Sequence, residues 1–470
     1  MDSETIGFMP ATVWAEKIRT KQISPVEAMR ALLDRIAALD PKVNAFAYLA
    51  ADQAMDAARA AENSVMGGER IGRLHGVPVT IKDLAWTKDM PTQSGSLTSK
   101  GFQPAEDTPI VPRLKSEGAI VLGKTTTSEF GWKGVSESPL TGITHNPWQH
   151  GMNAGASSAG AGAAAAAGFG PLHQGSDGAG SIRMPSHFCG VFGLKPSFGR
   201  VPYYPVGTGD LTSHMGPMTR TVADSALMLE VMAGPHHLDY TTLEAWPASY
   251  LARLSEGIKG KKIAYSPDLG VARVDPEVAD LVKAAVGRFK DLGAEVEEVV
   301  IPWGKPGPEL VRFFWSAHQT IRKPLLEKWE KQMDPGLVAC IREAENIRID
   351  EYQAARERKM RYIADINAWF ENWDFLLTPS VSVAAFPAEK LMPDHWPSHS
   401  WDWISWAEFS YPFNMSWNPA SNVPCGFTAD GLPVGLQIVG RRFDDLGVLQ
   451  ASAAFESAQP WAAKRPAGFS

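Results

Sequence analysis

Cysteine is scarce in this 470-residue chain. Cys189, Cys340 and Cys425 lie far apart and no C-x-x-C occurs, so neither a disulfide framework nor a zinc site is indicated. No apolar run reaches the ~20 residues of a membrane-spanning helix. Positive charge is not in excess: the net charge is −7, the wrong sign for a nucleic-acid groove or an anionic membrane surface. The opening residues MDSETIGFMPATVW hold no basic stretch followed by an apolar one, so a cytoplasmic location is expected. Internal repeats, heptads and blocks of like charge are missing. So are G-x-x-x-x-G-K-[ST], H-E-x-x-H, the G-x-S-x-G elbow and a G-x-G-x-x-G after a strand. The 11 histidines are scattered, none at ligand spacing from cysteine or aspartate.

What is present is ordinary globular composition, 44% hydrophobic and 21% charged, with ample material for a core. One stretch is unusual. From Asn153 to Val201 it reads NAGASSAGAGAAAAAGFGPLHQGSDGAGSIRMPSHFCGVFGLKPSFGRV. Residues this small do not serve packing volume; they let main-chain N–H groups come close to a reacting atom. Two serine-bearing glycine turns joined by a helix-length segment read as an oxyanion site with a hydroxyl nucleophile. A flexible Gly/Ala linker is the competing reading.

Upstream, residues 11–63 read as helices. Ser24 is an N-cap with Pro25 in the first turn and Glu27 at N3, and a second helix covers roughly 50–63. GRLHGVPVTIKDLAW then puts Lys82 at the end of a short strand holding Val77, Val79 and Ile81. Such a lysine either snorkels to the surface or, desolvated, loses its proton and becomes a base. In α/β sheets, sites gather at the carboxyl ends of strands.

A helix is expected at 109–116, strands at 119–123, 172–176 and within 188–194, a polar loop at 124–129 and a turn at 213–218. Further on, the pattern predicts a helix from Val222 to about Gly234, strands at 262–266 and 295–301, and a helix between them at 275–292. That helix would turn Leu281, Ala284, Val286 and Leu292 inward. This βαβ unit reads as a continuation of one sheet. Residues 308–372 are helical, with Phe313, Phe314 and Trp315 among their core-like aromatics. Residues 374–379 form a short strand, 421–442 a hairpin about Asp430-Gly431, and a terminal helix ends near Ala458. Trp396, Trp401, Trp403 and Trp406 crowd a loop-prone segment, where a pocket wall, a lid, a dimer contact or plain packing would each account for them.

Lys82 at a strand end, G-A-S-S-A-G at 155–160 and G-S-D-G-A-G-S-I-R at 175–183 occur in that order. The set resembles the amidase signature family. SPVEAMRALLDRI, GKTTTSEFGWKG, FCGVFGLKPSFGRVP, GPMTRTVAD and VPCGFTADGLPVGLQIVGRR extend the resemblance over essentially the whole chain, more weakly over 236–373 and 385–410. It implies an α/β fold: one large amidase-signature fold whose central mixed, twisted sheet is sandwiched by many helices. Its parts would be N-terminal helices (1–65), a catalytic core (66–235), a variable helical and βαβ region (236–373) and a C-terminal part of the core with the Trp-rich loop (374–470).

The resemblance also implies a Ser–cis-Ser–Lys triad, with Ser181 as nucleophile, Ser157 as relay in a cis peptide and Lys82 as base. The backbone of Gly178, Ala179, Gly180 and Ser181 would form the oxyanion hole. Ser158, Ser176, Asp177 and Arg183 would support the site, and no cofactor or metal is implied. The chemistry is coherent: a serine hydroxyl is a poor nucleophile until a neighbour takes its proton. Neutral lysine takes it once burial brings its pKa toward ~7–8. Ala156, Ala159 and Ala179 stand where the family usually has glycine, changes expected to reshape the turns without abolishing them.

The implied activity is hydrolysis of amide C–N bonds, hydrophobic or aryl amides first, with carbamates and esters chemically close. Trp86, Trp132, Met152, Trp403 and Trp406 are the candidate pocket residues. A small-molecule amide or carbamate substrate is the expected partner, without nucleic acid or membrane, acting on a monomer or homodimer. Two rivals remain: the glutamine-hydrolysing component of a tRNA-dependent amidotransferase, and a catalytically silent binding protein of the same fold.

Overall fold

The computed structural model describes residues 2–206 and 211–469. Its strands are β1 (Phe46–Leu49), β2 (Pro78–Lys82), β3 (Ile120–Thr125), β4 (Glu137–Ser138), β5 (Gly142–Ile143), β6 (Leu172–Asp177), β7 (Phe192–Lys195) and β8 (His214–Thr219). Further along come β9 (Lys262–Tyr265), β10 (Glu295–Glu298), β11 (Phe375–Pro379), β12 (Ala420–Phe427) and β13 (Pro433–Gly440). All but the β4–β5 ribbon join one mixed sheet of 11 strands, ordered β1-β3-β2-β6-β8-β7-β12-β13-β11-β9-β10. β2 lies parallel between β3 and β6, whereas β6, β8, β7, β12, β13 and β11 pair antiparallel in succession. The βαβ unit does continue the sheet, since β9 pairs parallel with both β10 and β11.

Helices Ala159–Ala167 and Arg183–Cys189 pack on each other, while Val222–Met232, Pro276–Asp291 and Asp445–Ala458 form another group against the strands. One large hydrophobic cluster joins the sheet to the N-terminal helices. A second gathers under Gly307–Gln319, Pro335–Ala344 and Ile349–Trp369 and takes in the Trp-rich loop. Among the described residues no helix is long and apolar enough to cross a membrane.

Four local expectations change. Residues 213–218 hold a strand, not a turn: Gly216-Pro217 looks like a turn signal, but β6 and β7 flank it on both sides. Gly216 is required there because a Cβ would sit 2.9 Å from Pro196 Cδ. Lys124 and Thr125 belong to β3 and not to a loop, and within 188–194 the helix runs to Cys189 before β7 starts. Helix Pro276–Asp291 buries Val278, Val282, Ala285, Val286 and Phe289, leaving Ala284 exposed and Leu281 and Leu292 half-buried. The inward stripe follows the i, i+4, i+7, i+8, i+11 spacing of one helix face. β1 had no strand signal of its own; β3 recruits it.

Gly160 shows how tightly the small-residue helix is docked: an added Cβ would lie 2.5 Å from Thr126 N and 2.6 Å from Thr126 Oγ1. Gly160→Ala is expected to destabilise by about 1–3 kcal/mol, as overpacking does. Gly287→Ala, in a helix where an added Cβ meets nothing within 4 Å, should instead stabilise by about 0.5–1 kcal/mol. Thermal unfolding of the two variants beside wild type checks the contrast; equal midpoints would contradict the packing described.

Candidate active site

Lys82 is the last residue of β2, and neighbours on both sides of that strand leave its side chain fully buried. It does not snorkel. Its Nζ lies 2.7 Å from Ser157 Oγ, 2.9 Å from Ser158 Oγ, 3.0 Å from Ser176 Oγ and 3.2 Å from Ser176 O. Among the described residues no carboxylate lies within ion-pair distance. Burial therefore pushes its pKa well below the ordinary lysine value, and the through-space pull of Asp177 offsets only part of this.

The three serines differ in where their protons go. Ser158 Oγ–H donates to Ser176 O at 3.1 Å and its oxygen accepts from Ser176 N at 3.2 Å. Its proton is committed, so it meets Lys82 as an acceptor. Among the described residues Ser157 Oγ has no hydrogen bond other than the one with Lys82, so its proton can point at the lone pair of the neutral amine. Ser157 sits just before helix Ala159–Ala167, after Gly155 at φ +76° and a cis Ala156–Ser157 peptide. Gly155 is required, because a Cβ would lie 2.5 Å from Pro185 Cα. Ala156 and Ala159 are buried.

The second turn hangs on Asp177, the last residue of β6. Asp177 Oδ1 accepts from Gly180 N at 2.6 Å and Oδ2 from Ile182 N at 3.2 Å. Arg183 Nε and Nη2 each donate to the same carboxylate at 2.9 Å, and Asn414 Nδ2 adds a bond of 2.8 Å. Burial opposes this charge, but Arg183 and the converging donors hold Asp177 well below the usual carboxylate range. Arg183 is held in turn by Ser410 O, Gln437 Oε1 and Asn414 Oδ1. Gly180, at φ +111°, fits against Ser410 as only glycine can, since a Cβ would lie 2.7 Å from Ser410 Cβ.

One expectation for this turn is corrected. The Gly180 N–H is already bonded to Asp177, which leaves Gly178, Ala179 and Ser181 as the available backbone donors. Ala179 turns its methyl into the second hydrophobic cluster.

Ser157, Ser176, Gly178 and Ser181 face one cavity of about 260 Å³. It is small beside the roughly 300–1,000 Å³ of common ligand pockets, so it suits a compact molecule. Phe130, Phe198, Tyr203 and Trp315 supply aromatic wall. None of the five expected pocket residues lines it. Trp132, Trp403 and Trp406 are buried in the second cluster. Trp403 Nε1 donates to Trp132 O at 2.8 Å and Trp406 Nε1 to Leu391 O at 3.1 Å. Once its N–H has a carbonyl partner an indole can be fully buried, and the Trp-rich loop is core for that reason. Trp86 packs edge-on to Phe102 and Tyr204, and Met152 bridges to Pro387.

The residues missed are Trp315, His318, Gln319 and Arg322, which all line the cavity. They recur at i, i+3, i+4 and i+7 along helix Gly307–Gln319 and the turn that follows. The signal was a helical stripe that mixes aromatic with polar residues; among Phe313 and Phe314 it passed for core.

Comparison with known proteins gives the class: this is a hydrolase that acts on amide C–N bonds. The Amidase family model matches residues 27–449, and the chain belongs to the amidase signature family. It is 38% identical to an acylamidase of Rhodococcus erythropolis over 99% of each chain. It is 33% identical to the A component of the glutamyl-tRNA(Gln) amidotransferase of Geobacter sp. (strain M21), covering 96% of this chain and 97% of the other. A solved bacterial aryl acylamidase of the amidase signature family superposes with a TM-score of 0.90 at 30% identity, over 97% of both chains.

The buried amine has a consequence for stability. Unfolded Lys82 keeps its proton up to about pH 10.5, whereas folded Lys82 gives it up at a much lower pH. Between those two values the unfolded state binds more protons, so folding stability rises with pH; below both it is flat. Wild type should therefore gain stability relative to Lys82→Met as pH increases from about 7 to about 10. Urea unfolding of the pair across that range measures it, and parallel profiles would mean that Lys82 stays charged in the fold.

Proposed function

We propose that this protein hydrolyses hydrophobic or aryl amides through an acyl-enzyme on Ser181, with Ser157 as proton relay and Lys82 as base. The observation that carries the reading is the 2.7 Å contact between Lys82 Nζ and Ser157 Oγ at the edge of the cavity that Ser181 also faces. Ser181 Oγ adds to the carbonyl carbon; its proton passes to Ser157 Oγ as the Ser157 proton passes to Lys82 Nζ. Negative charge on the former carbonyl oxygen is met by backbone N–H groups of the Gly178–Ser181 turn, each such donor worth about 3 kcal/mol. The C–N bond then breaks as the amine takes a proton from Ser157, which Lys82 replaces. Water attacks the ester through the same relay and the acid leaves.

Aromatic walls formed by Phe130, Phe198, Tyr203 and Trp315 support an aryl or hydrophobic substrate. So do the names of two relatives, an acylamidase and an aryl acylamidase. Carbamates present the same carbonyl and leaving nitrogen, and we expect slower cleavage of aryl carbamates at this site.

An activity screen over aryl amides, aliphatic amides, carbamates and glutamine tests the reading. Aryl amides should turn over fastest, and Ser181→Ala should lose on the order of 10³-fold or more. A fluorophosphonate should label Ser181 in wild type and nothing in that variant; absence of an adduct would favour a silent binding protein, and glutamine as the best substrate would favour the amidotransferase component. Lys82→Ala should lose most activity at neutral pH and recover part of it in alkali, where solvent hydroxide substitutes for the base. An unchanged pH profile would remove Lys82 from the mechanism.

A further inference from the structure

We propose that Arg322 selects amides bearing a carboxylate remote from the scissile bond. This rests on the hydrolase reading, in which the cavity at Ser181 is where the amide sits.

The cavity lining mixes polar side chains with the aromatic ones. Arg322, Gln319 and His318 lie there on one side of the helix Gly307–Gln319 and its extension. The guanidinium stacks on Phe130, with Cζ 4.7 Å from the ring centroid. Among the described residues its only hydrogen bond runs from Nη1 to Gln319 Oε1 at 2.9 Å, and it has no ion pair. A guanidinium carries five N–H donors in a planar fork, so most of its capacity is unused. Burial pushes its pKa down to about 10, which leaves it charged at neutral pH but desolvated.

Elsewhere this chain gives its buried and half-buried arginines partners. Arg183, Arg200 and Arg312 meet carboxylates at 2.9, 3.0 and 2.6 Å. Arg35 and Arg220 donate to backbone carbonyls. Arg322 alone of these six faces a cavity with its fork largely open. Among the described residues neither neighbouring anion bonds to it directly. Asp239 borders the same cavity, but its oxygens accept from Tyr203 N, Thr241 N and Thr241 Oγ1 at 2.8, 2.9 and 2.7 Å. Glu129 acts on Arg322 only through space, its own oxygens accepting from Ser96 Oγ at 2.6 Å and Asp334 N at 2.7 Å.

A second orphan group lies beside it. His318 Nε2 is buried without a hydrogen-bond partner, and burial together with Lys359 and Arg322 holds the ring neutral, its pKa pushed down to about 3. A guanidinium with most of its donors open on a cavity wall is complementary to a planar group with two acceptor oxygens. A carboxylate is that group, and the aromatic walls favour one carried on an aryl or short alkyl frame.

The test compares isosteric pairs, with release of the amine measured. One pair is 4-acetamidobenzoate against 4-acetamidobenzamide; the other is N-phenylsuccinamate against N-phenylsuccinamide. In wild type, kcat/KM for the carboxylate should exceed that for its carboxamide by about tenfold to a hundredfold in at least one pair, the worth of a charge-assisted hydrogen bond. Arg322→Met, which keeps bulk against Phe130, should bring that ratio close to one, and Arg322→Lys should restore part of it. Ratios near one in wild type, or a ratio that survives Arg322→Met, would overturn the proposal.

Binding of the same probes to Ser181→Ala and to Ser181→Ala/Arg322→Met, by calorimetry, separates the two readings. Carboxylate binding that depends on Arg322 supports the assignment even if wild type cleaves none of the probes, in which case the hydrolase reading falls alone. Cleavage of the neutral amides with no Arg322-dependent binding leaves the hydrolase reading standing and overturns this one.

Discussion

Everything at this site depends on an amine buried without a counter-ion. Lys82 is enclosed by β3, β6 and the two serine turns, and among the described residues its Nζ bonds only to hydroxyls and one carbonyl. An ammonium so placed would be costly, and the fold answers by favouring the neutral form. Three hydroxyls then become meaningful. One oxygen is fixed as an acceptor by its bonds to Ser176, and another, that of Ser157, lies 2.7 Å from the amine with its own proton uncommitted. The contrast between Ser158 and Ser157 comes from these bonds, since the two are chemically identical neighbours in sequence.

The opposite electrostatic solution stands a few residues away. Asp177 and Arg183 are buried as a fully bonded ion pair, each charge satisfied by the other and by amide groups from distant parts of the chain. Such a pair adds little net stability, but removing one partner is costly because the other is left buried and unpaired. Its value here is geometric. By taking the Gly180 and Ile182 N–H groups, Asp177 fixes the course of the turn that presents Ser181. One site thus holds a buried amine without an ion pair beside a carboxylate and guanidinium that satisfy each other.

Much of this was legible in the chain. Small residues around Ser157 and Ser181 announced close backbone approach, and Gly155, Gly160 and Gly180 each prove to be positions where a Cβ would collide. Lys82 at the end of an apolar run left two readings open, and its complete burial decides between them. The tryptophans misled, because density of indoles in a loop-like segment says nothing about where their N–H groups will find carbonyls. Trp132 O accepts from both Trp403 and Trp315, a convergence of three segments far apart in sequence. The polar stripe His318–Gln319–Arg322 escaped notice for the converse reason: periodicity shows that residues share a helix face, not what that face meets.

By itself, then, the sequence determined the family and the α/β fold and singled out Lys82, Ser157 and Ser181 as candidates, because these rest on local residue types and on motifs that keep their spacing. Tertiary structure alone decided which donors of the Gly178–Ser181 turn are free, which aromatics line the cavity and which arginine faces it without a partner. Those properties depend on whether a distant carbonyl, carboxylate or side chain arrives within hydrogen-bond reach, and no local pattern encodes that.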